Sequence, residues 1–262
     1  MRFLLAFLLL SAWPGRCQIR DVVKSAEIDQ IFARTAQSLE VLAKTNYAVQ
    51  FRVSSQGPGA RQTHPDADEF WFVRYGAAKV SLDGRQHDVA AGDVVSVPRT
   101  TPYQITPAAG RFEYVAVRIF PTGRRLRMGI GAAPEPHPMP DFVTKAQIDA
   151  TLAGADKNAR LHSAGAVLIN HVVYLAAPGP WEVHQTCDDL YFVRMGTARA
   201  EIDGTLIQGK EDPPGEIRGT GVTGAREFHI APGDMVVIPR NTAHFMDPGS
   251  VKLGYLLVKV CD

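Results

Sequence analysis

Glu182, His184, Asp189 and His244 are side chains of the types that bind transition metals. Two imidazoles and two carboxylates make a mixed nitrogen and oxygen donor set. Such a set suits iron, manganese, zinc, nickel or copper better than calcium. Residues two apart in a strand point to one face, so Glu182 and His184 can present their donors side by side. Asp189 follows across a short loop, and His244 arrives from a distant segment. A face of two His and one carboxylate leaves coordination positions open for dioxygen or substrate. The bland alternative is that the four are polar residues lining a metal-free pocket.

These residues lie in the second of two copies of one segment. DEFWFVRYGAAKVSLDG at 68–84 recurs as DDLYFVRMGTARAEIDG at 188–204, an offset of 120 (188 − 68). GDVVSVPRTT at 92–101 recurs as GDMVVIPRNT at 233–242, an offset of 141 (233 − 92). The second copy therefore holds 21 extra residues (141 − 120), all between Gly204 and Gly233. Two copies of one unit predict two copies of one fold. In the first copy the corresponding positions are Gln62, His64, Glu69 and Tyr103.

At these residues the chain resembles the cupins, and among them the two-barrel bicupins. Gln62-Thr63-His64, Glu69 and Gly76 occupy the places of the first cupin motif in copy one, and Glu182-Val183-His184, Asp189 and Gly196 in copy two. The second motif is Gly92-Asp93, Pro98 and Tyr103 in copy one, and Gly233-Asp234, Pro239 and His244 in copy two. The resemblance implies an all-β chain of two tandem jelly-roll barrels. It places the metal at Glu182, His184, Asp189 and His244. Glu182 is a ligand or a general acid or base beside the ion, which makes it the catalytic candidate. Cupins usually carry His where Glu182 stands and Glu where Asp189 stands. Tyr103 replaces a ligand in copy one, so that barrel is expected to be metal-free and structural, or to hold an organic ligand.

The elements that must position these groups are short. Residues 21–44 carry Ile28, Ile31, Phe32, Leu39 and Leu42 near the helical period and read as a helix. Thr144 to Gln147 forms a capping-box pattern ahead of Ile148 and Leu152, so a short helix is expected before each barrel. Tyr47 to Val53 and Ala166 to Leu175 read as β-branched strands. In Ala78, Val80 and Leu82, and again in Ala198, Ala200 and Ile202, apolar residues alternate with polar ones. Each run ends in Asp-Gly, a hairpin signal. His171 corresponds to Phe51 (171 − 120), an inward position read as a satisfied core His, with a pocket wall as the alternative. Arg74 and Arg194 recur without a ligand role and are expected to form structural ion pairs. The insertion, about 205–227, is Gly-rich and reads as a lengthened hairpin, with a lid or ligand cradle as the alternative.

The organisation expected is a signal peptide at 1–17, a first barrel at 21–120, a Pro- and Gly-rich linker at 121–140 and a second barrel at 141–262. Arg2 followed by the apolar run Phe3 to Leu10 has the form of an export signal and is too short to span a membrane, which takes ~20 residues. The expected location is secreted or periplasmic. Pro-Gly-Arg before Cys17 does not resemble a lipobox. Cys187 and Cys261 remain, as two free thiols or a pair. Lys plus Arg number 28 against 27 Asp plus Glu, and no basic stripe appears, so nucleic acid is not an expected partner. The expected partner is a small-molecule substrate or ligand, and a homo-oligomer is compatible with the fold. The function implied is a metal-dependent enzyme of dioxygenase, decarboxylase or isomerase type. A non-catalytic binding or structural bicupin is the alternative.

Overall fold

The computed structural model describes residues 21–44, 46–55, 57–120, 142–154, 158–160 and 167–261. The expected signal peptide and linker lie outside the described residues. So do the side chains of the strand Val167–Leu175, His171 among them.

Two barrels follow each other, the first made of a six-stranded and a three-stranded sheet and the second of two six-stranded sheets. In the first barrel the wide sheet centres on Asp68–Tyr75 between Val94–Val97 and Phe112–Ile119. Ala77–Leu82, flanked by Arg85–Ala90 and Tyr103–Pro107, closes the other side. In the second barrel Cys187–Met195 takes the central place between Met235–Ile238 and Leu253–Cys261. Its second sheet carries Trp181–His184, His244–Asp247 and Ala198–Ile202 side by side. The hairpin of the first barrel turns tightly on Asp83 and Gly84, both at positive φ, as Asp-Gly requires in a two-residue loop.

The central strands are buried on both faces. In Asp68–Tyr75, Trp71 and Val73 enter the barrel interior, while Phe70 and Phe72 enter a core between the barrels. In Cys187–Met195, Tyr191 and Val193 face inward, and Leu190 and Phe192 face the other barrel. Double burial explains why both strands read as near-continuous apolar runs. Phe72 and Phe192, equivalent in the repeat, stack on each other with ring centroids 3.8 Å apart. Phe51 also belongs to this shared core, stacked on Phe32 at 5.0 Å, and is not a pocket wall.

Each barrel receives its first strand from the other's leading segment. Val22–Val23 pairs with Met235–Ile238 of the second barrel, and Phe142–Val143 pairs with Val94–Val97 of the first. The Gly-Asp motifs lock this exchange. Asp234 accepts from the Ser25 N–H (2.7 Å) at the start of helix α1, Ser25–Arg34. Asp93 accepts from the Lys145 N–H (2.6 Å) at the start of helix α2, Lys145–Ala153. Carboxylates at helix N-termini satisfy open N–H groups and meet the positive end of the dipole. Arg74 donates to the Gly233 carbonyl (2.9 Å) and Arg194 to the Gly92 carbonyl (2.8 Å). Both arginines thus bridge the barrels, and Arg74 also pairs with Asp29 (3.0 Å).

The helix expected over 21–44 is shorter. It ends at Arg34, where Thr35 turns extended and its N–H closes on the Phe32 carbonyl. Ser38–Ala43 then forms a strand on Tyr47–Ser54, with a bulge between Glu40 and Leu42. The bulge shifts the alternation, so Val41 is buried and Leu39 is exposed, which imitates a helical period in the sequence. The capping box of α2 is present, with Thr144 and Gln147 exchanging contacts.

Truncating Phe192 to Ala is expected to cost about 3–5 kcal/mol of stability, as for other buried aromatics. Phe72→Ala should do the same, and the double variant should fall short of the sum because the rings share one contact. Denaturant unfolding of the four proteins measures this.

Candidate metal centre

His184 and Glu182 come from Trp181–His184, and His244 from the adjacent strand, with Glu182 and His244 directly paired. Side chains of a directly opposed pair share one sheet face. Glu182 Oε1 lies 3.5 Å from His244 Nε2 and 3.9 Å from His184 Nε2. One ligand atom from each of the three lies within 4.8 Å of the others. Ligand atoms around one ion with bonds of ~2.0–2.1 Å stand ~3–3.5 Å apart, so modest closure would satisfy an ion here.

Both imidazoles are oriented for this. His244 Nδ1 donates to the Thr242 carbonyl (3.2 Å), which leaves the lone pair on Nε2. That nitrogen is buried and makes no hydrogen bond. His184 Nδ1 is bonded to the Glu216 carboxylate, so its Nε2 also faces the centre. Burial pushes the His184 imidazole down, but Asp189 and Glu216 outweigh it and lift its pKa to about 9. Burial raises the Glu182 carboxyl, yet His244 and His184 bring it below its ordinary value.

Asp189 stands beside this group. Its Oδ2 is 3.3 Å from His184 Nε2 and accepts from the Tyr191 hydroxyl (3.2 Å). Its Oδ1 is 3.2 Å from Lys259 Nζ. Burial would raise Asp189, but Lys259 and His184 hold its carboxyl far below the usual range. Among the buried groups, with both imidazoles neutral as ligation requires, three carboxylates (Glu182, Asp189, Glu216) against Lys259 leave −2, which the half-exposed Arg218 beside Glu182 reduces to −1, so a divalent ion is favoured once it displaces the His184 proton. The donor set therefore fits such an ion on geometry, tautomer and charge.

The first barrel arranges the same positions differently. Tyr103, at the place of His244, puts its hydroxyl 2.7 Å from His64 Nε2 and donates to Gln62 Oε1 (2.8 Å). Glu69 is enclosed by Arg52 (3.0 Å to each oxygen), Arg118 Nε (2.9 Å), His64 Nε2 (3.1 Å) and Trp71 Nε1 (2.8 Å). Burial and the two arginines keep the His64 pKa below its ordinary value against the pull of Glu69. Among its buried groups Arg52 and Arg118 outnumber Glu69, two guanidiniums to one carboxylate, with Asp66 pairing Arg118 only from the exposed rim (3.3 Å), so a cation is disfavoured there.

Glu216, Lys259, Arg52 and Arg118 were not singled out in the sequence. Lys259 and Arg118 are repeat equivalents (259 − 118 = 141), so a basic residue recurring on the last strand was the available signal. Glu216 lies in the insertion and has no counterpart to compare. Cys187 and Cys261, read as free thiols or a pair, form a disulfide in directly opposed positions on neighbouring strands.

Residues 50–117 match the family model described as a cupin domain. The matched segment is a cupin domain, and the fold is that of cupin barrels. Among solved structures, a cupin 2 conserved barrel domain protein from Leptotrichia buccalis is 11% identical with a TM-score of 0.60, covering 95% of this chain and 100% of its own. A salicylate 1,2-dioxygenase from Pseudaminobacter salicylatoxidans is 11% identical with a TM-score of 0.59, covering 97% of this chain and 86% of its own. At such identity the likeness is one of fold. No curated protein matches the chain in sequence.

Glu69→Gln should destabilise the first barrel by about 3–5 kcal/mol, because Arg52 and Arg118 lose their buried counter-charge. Thermal unfolding checks it. Alkylation of protein purified without reductant should modify Cys187 and Cys261 only after reduction, as read by peptide mass.

Proposed function

We propose that the protein is an exported bicupin that binds one divalent transition metal in its second barrel and acts there as an enzyme on a small organic molecule. The observation that carries this is the convergence of Glu182, His184 and His244, with both Nδ1 atoms engaged and both Nε2 atoms turned to one point. Glu182 is the carboxylate ligand, since its Oε1 faces both imidazoles. Asp189 is the neighbouring acid, kept charged by Lys259 and available as a fourth donor. A three-ligand face leaves positions for substrate. When bound, the ion would act as a Lewis acid on a carbonyl or carboxylate, or in redox chemistry with dioxygen.

The chain's own residues shape the rest of the site. Tyr191, Ile202, Ile238 and Met246 pack in the interior and exclude water, which strengthens electrostatic interactions there. The Tyr191 hydroxyl is raised well above its ordinary pKa by burial and by Asp189, so it remains a proton donor to that carboxylate. Lys259 stands 3.2 Å from Asp189, where it can also meet an anionic group of a substrate. Export is supported by the leader pattern and by the Cys187–Cys261 disulfide, since such bonds persist in oxidising compartments. Among the described residues, no helix is long and apolar enough to cross a membrane.

Elemental analysis should find one transition metal per chain. His244→Ala and Glu182→Ala should lose it, Asp189→Asn should weaken it less, and His64→Ala should keep it. Chelation should lower the melting temperature, because metal binds the folded chain alone. Two equivalents, or none after refilling with iron, manganese and zinc in turn, would overturn the assignment.

A further inference from the structure

The insertion that lengthens the second copy runs directly beside the metal-ligand strand. Glu216–Gly219 pairs antiparallel with Trp181–His184 in the register Glu182↔Arg218 and His184↔Glu216. Directly opposed residues share a face, and residues two apart share it too. Glu216 and Arg218 therefore stand on the same face as His184 and Glu182, each opposite one of them. The contacts follow the register. Glu216 accepts from His184 Nδ1, and Arg218 Nε is 3.9 Å from Glu182 Oε2, leaving Oε1 to the imidazoles. The Glu216 side chain is 12% exposed, so its contact with His184 is largely shielded from water.

The hairpin is itself well fixed. Its turn is closed by the Asp212 N–H to the Glu216 carbonyl (2.8 Å), and Gly215 N–H donates to Glu211 Oε1 (2.8 Å). The Gln185 N–H donates to the Gly215 carbonyl (2.8 Å), which carries the ladder past His184. The paired strands Thr205–Ile207 and Gly221–Thr223 form its base.

We infer that this hairpin is a positioning element for the metal, in which Glu216 fixes the ring and tautomer of His184. This rests on the metal-binding reading above. A carboxylate on the far nitrogen of a ligating imidazole sets its orientation and raises its basicity, and its loss typically costs ~10–100-fold in metal affinity. Among the described residues the first barrel has no such hairpin, and His64 Nδ1 meets the Arg118 guanidinium (3.5 Å) instead of a carboxylate. The inserted residues are thus neither a passive extension nor a lid: their inner strand supplies the outer layer of the site.

Cobalt(II) titration of the full chain tests this, followed by affinity and by the visible absorption of the bound ion. Glu216→Met keeps length and packing without an acceptor, and should bind cobalt(II) ~10–100-fold more weakly with an altered spectrum. Glu216→Gln keeps an acceptor for Nδ1–H and should stay much closer to the parent in both readouts. Glu211→Ala disturbs the turn but spares Glu216, and should bind as the parent does. If Glu216→Met matches the parent in affinity and spectrum, the inference is overturned. It is equally overturned if Glu216→Gln is as weak as Glu216→Met, or if Glu211→Ala weakens binding as much. If the parent itself binds no cobalt(II), it is the metal-binding reading that has failed.

Discussion

The apolar core between the barrels is the constraint on which the rest of the structure depends. Phe70, Phe72, Leu190 and Phe192 leave the central strands on the side away from each interior and meet in the shared core. A lone barrel would expose this face to water, so neither unit is complete by itself. The exchange of Val22–Val23 and Phe142–Val143 ties the same strands together at their outer edges. Because Asp189 and Tyr191 alternate with Leu190 and Phe192, the packing between barrels also fixes which residues point inward at the site. Site geometry is in this sense a consequence of inter-barrel packing.

Within that shared frame the two interiors have taken opposite charge. Both keep an acid on the central strand and a base on the last strand, Glu69 with Arg118 and Asp189 with Lys259. The first barrel adds Arg52 to this pair and fills the centre with the Tyr103 hydroxyl, so its polar groups pair closely among themselves. The second adds Glu182 and Glu216 and leaves His244 Nε2 with only the longer, 3.5 Å contact to Glu182. A buried arginine between ligands repels a cation, whereas surplus carboxylate attracts one, and both effects are large where water is excluded. A single recurring acid–base pair thus serves as structure in one barrel and as the border of a candidate metal site in the other.

Much of this was legible because the chain repeats itself. The offsets of 120 and 141 placed the motifs, the strands and the insertion, and the capping box of α2 marked its start. Glu182, His184 and His244 come together as the strand alternation and the motif spacing require. What could not be read came from contacts without a local pattern. Leu39 and Leu42 mimicked a helical period because a β-bulge breaks the strand's alternation. Arg74 and Arg194 reach carbonyls of the other barrel, which spacing along the chain does not reveal. Glu216 lies in a Gly-rich stretch whose composition suits a loop, and only the ladder to His184 shows its place.

Two different devices hold the two sides of the candidate centre. On the side of Asp189, the Cys187–Cys261 disulfide joins the strand carrying Asp189 and Tyr191 to the strand carrying Lys259 and Tyr255. Cross-linking these neighbours limits how far the acid can move from its base. On the side of Glu182 and His184, the strand has only four residues and lies towards the open end of its sheet, where a short strand is held weakly. The inserted hairpin supplies the missing neighbour, extending the sheet by Glu216–Gly219 and Lys210–Glu211. Cys187 has Ala67 as its counterpart (187 − 120), and the hairpin has none, so both devices are confined to the barrel whose centre suits a metal. Their coincidence there follows from the demands of ligation: a bound ion needs donors fixed to within fractions of an ångström, whereas the self-satisfied network around Glu69 already fixes itself.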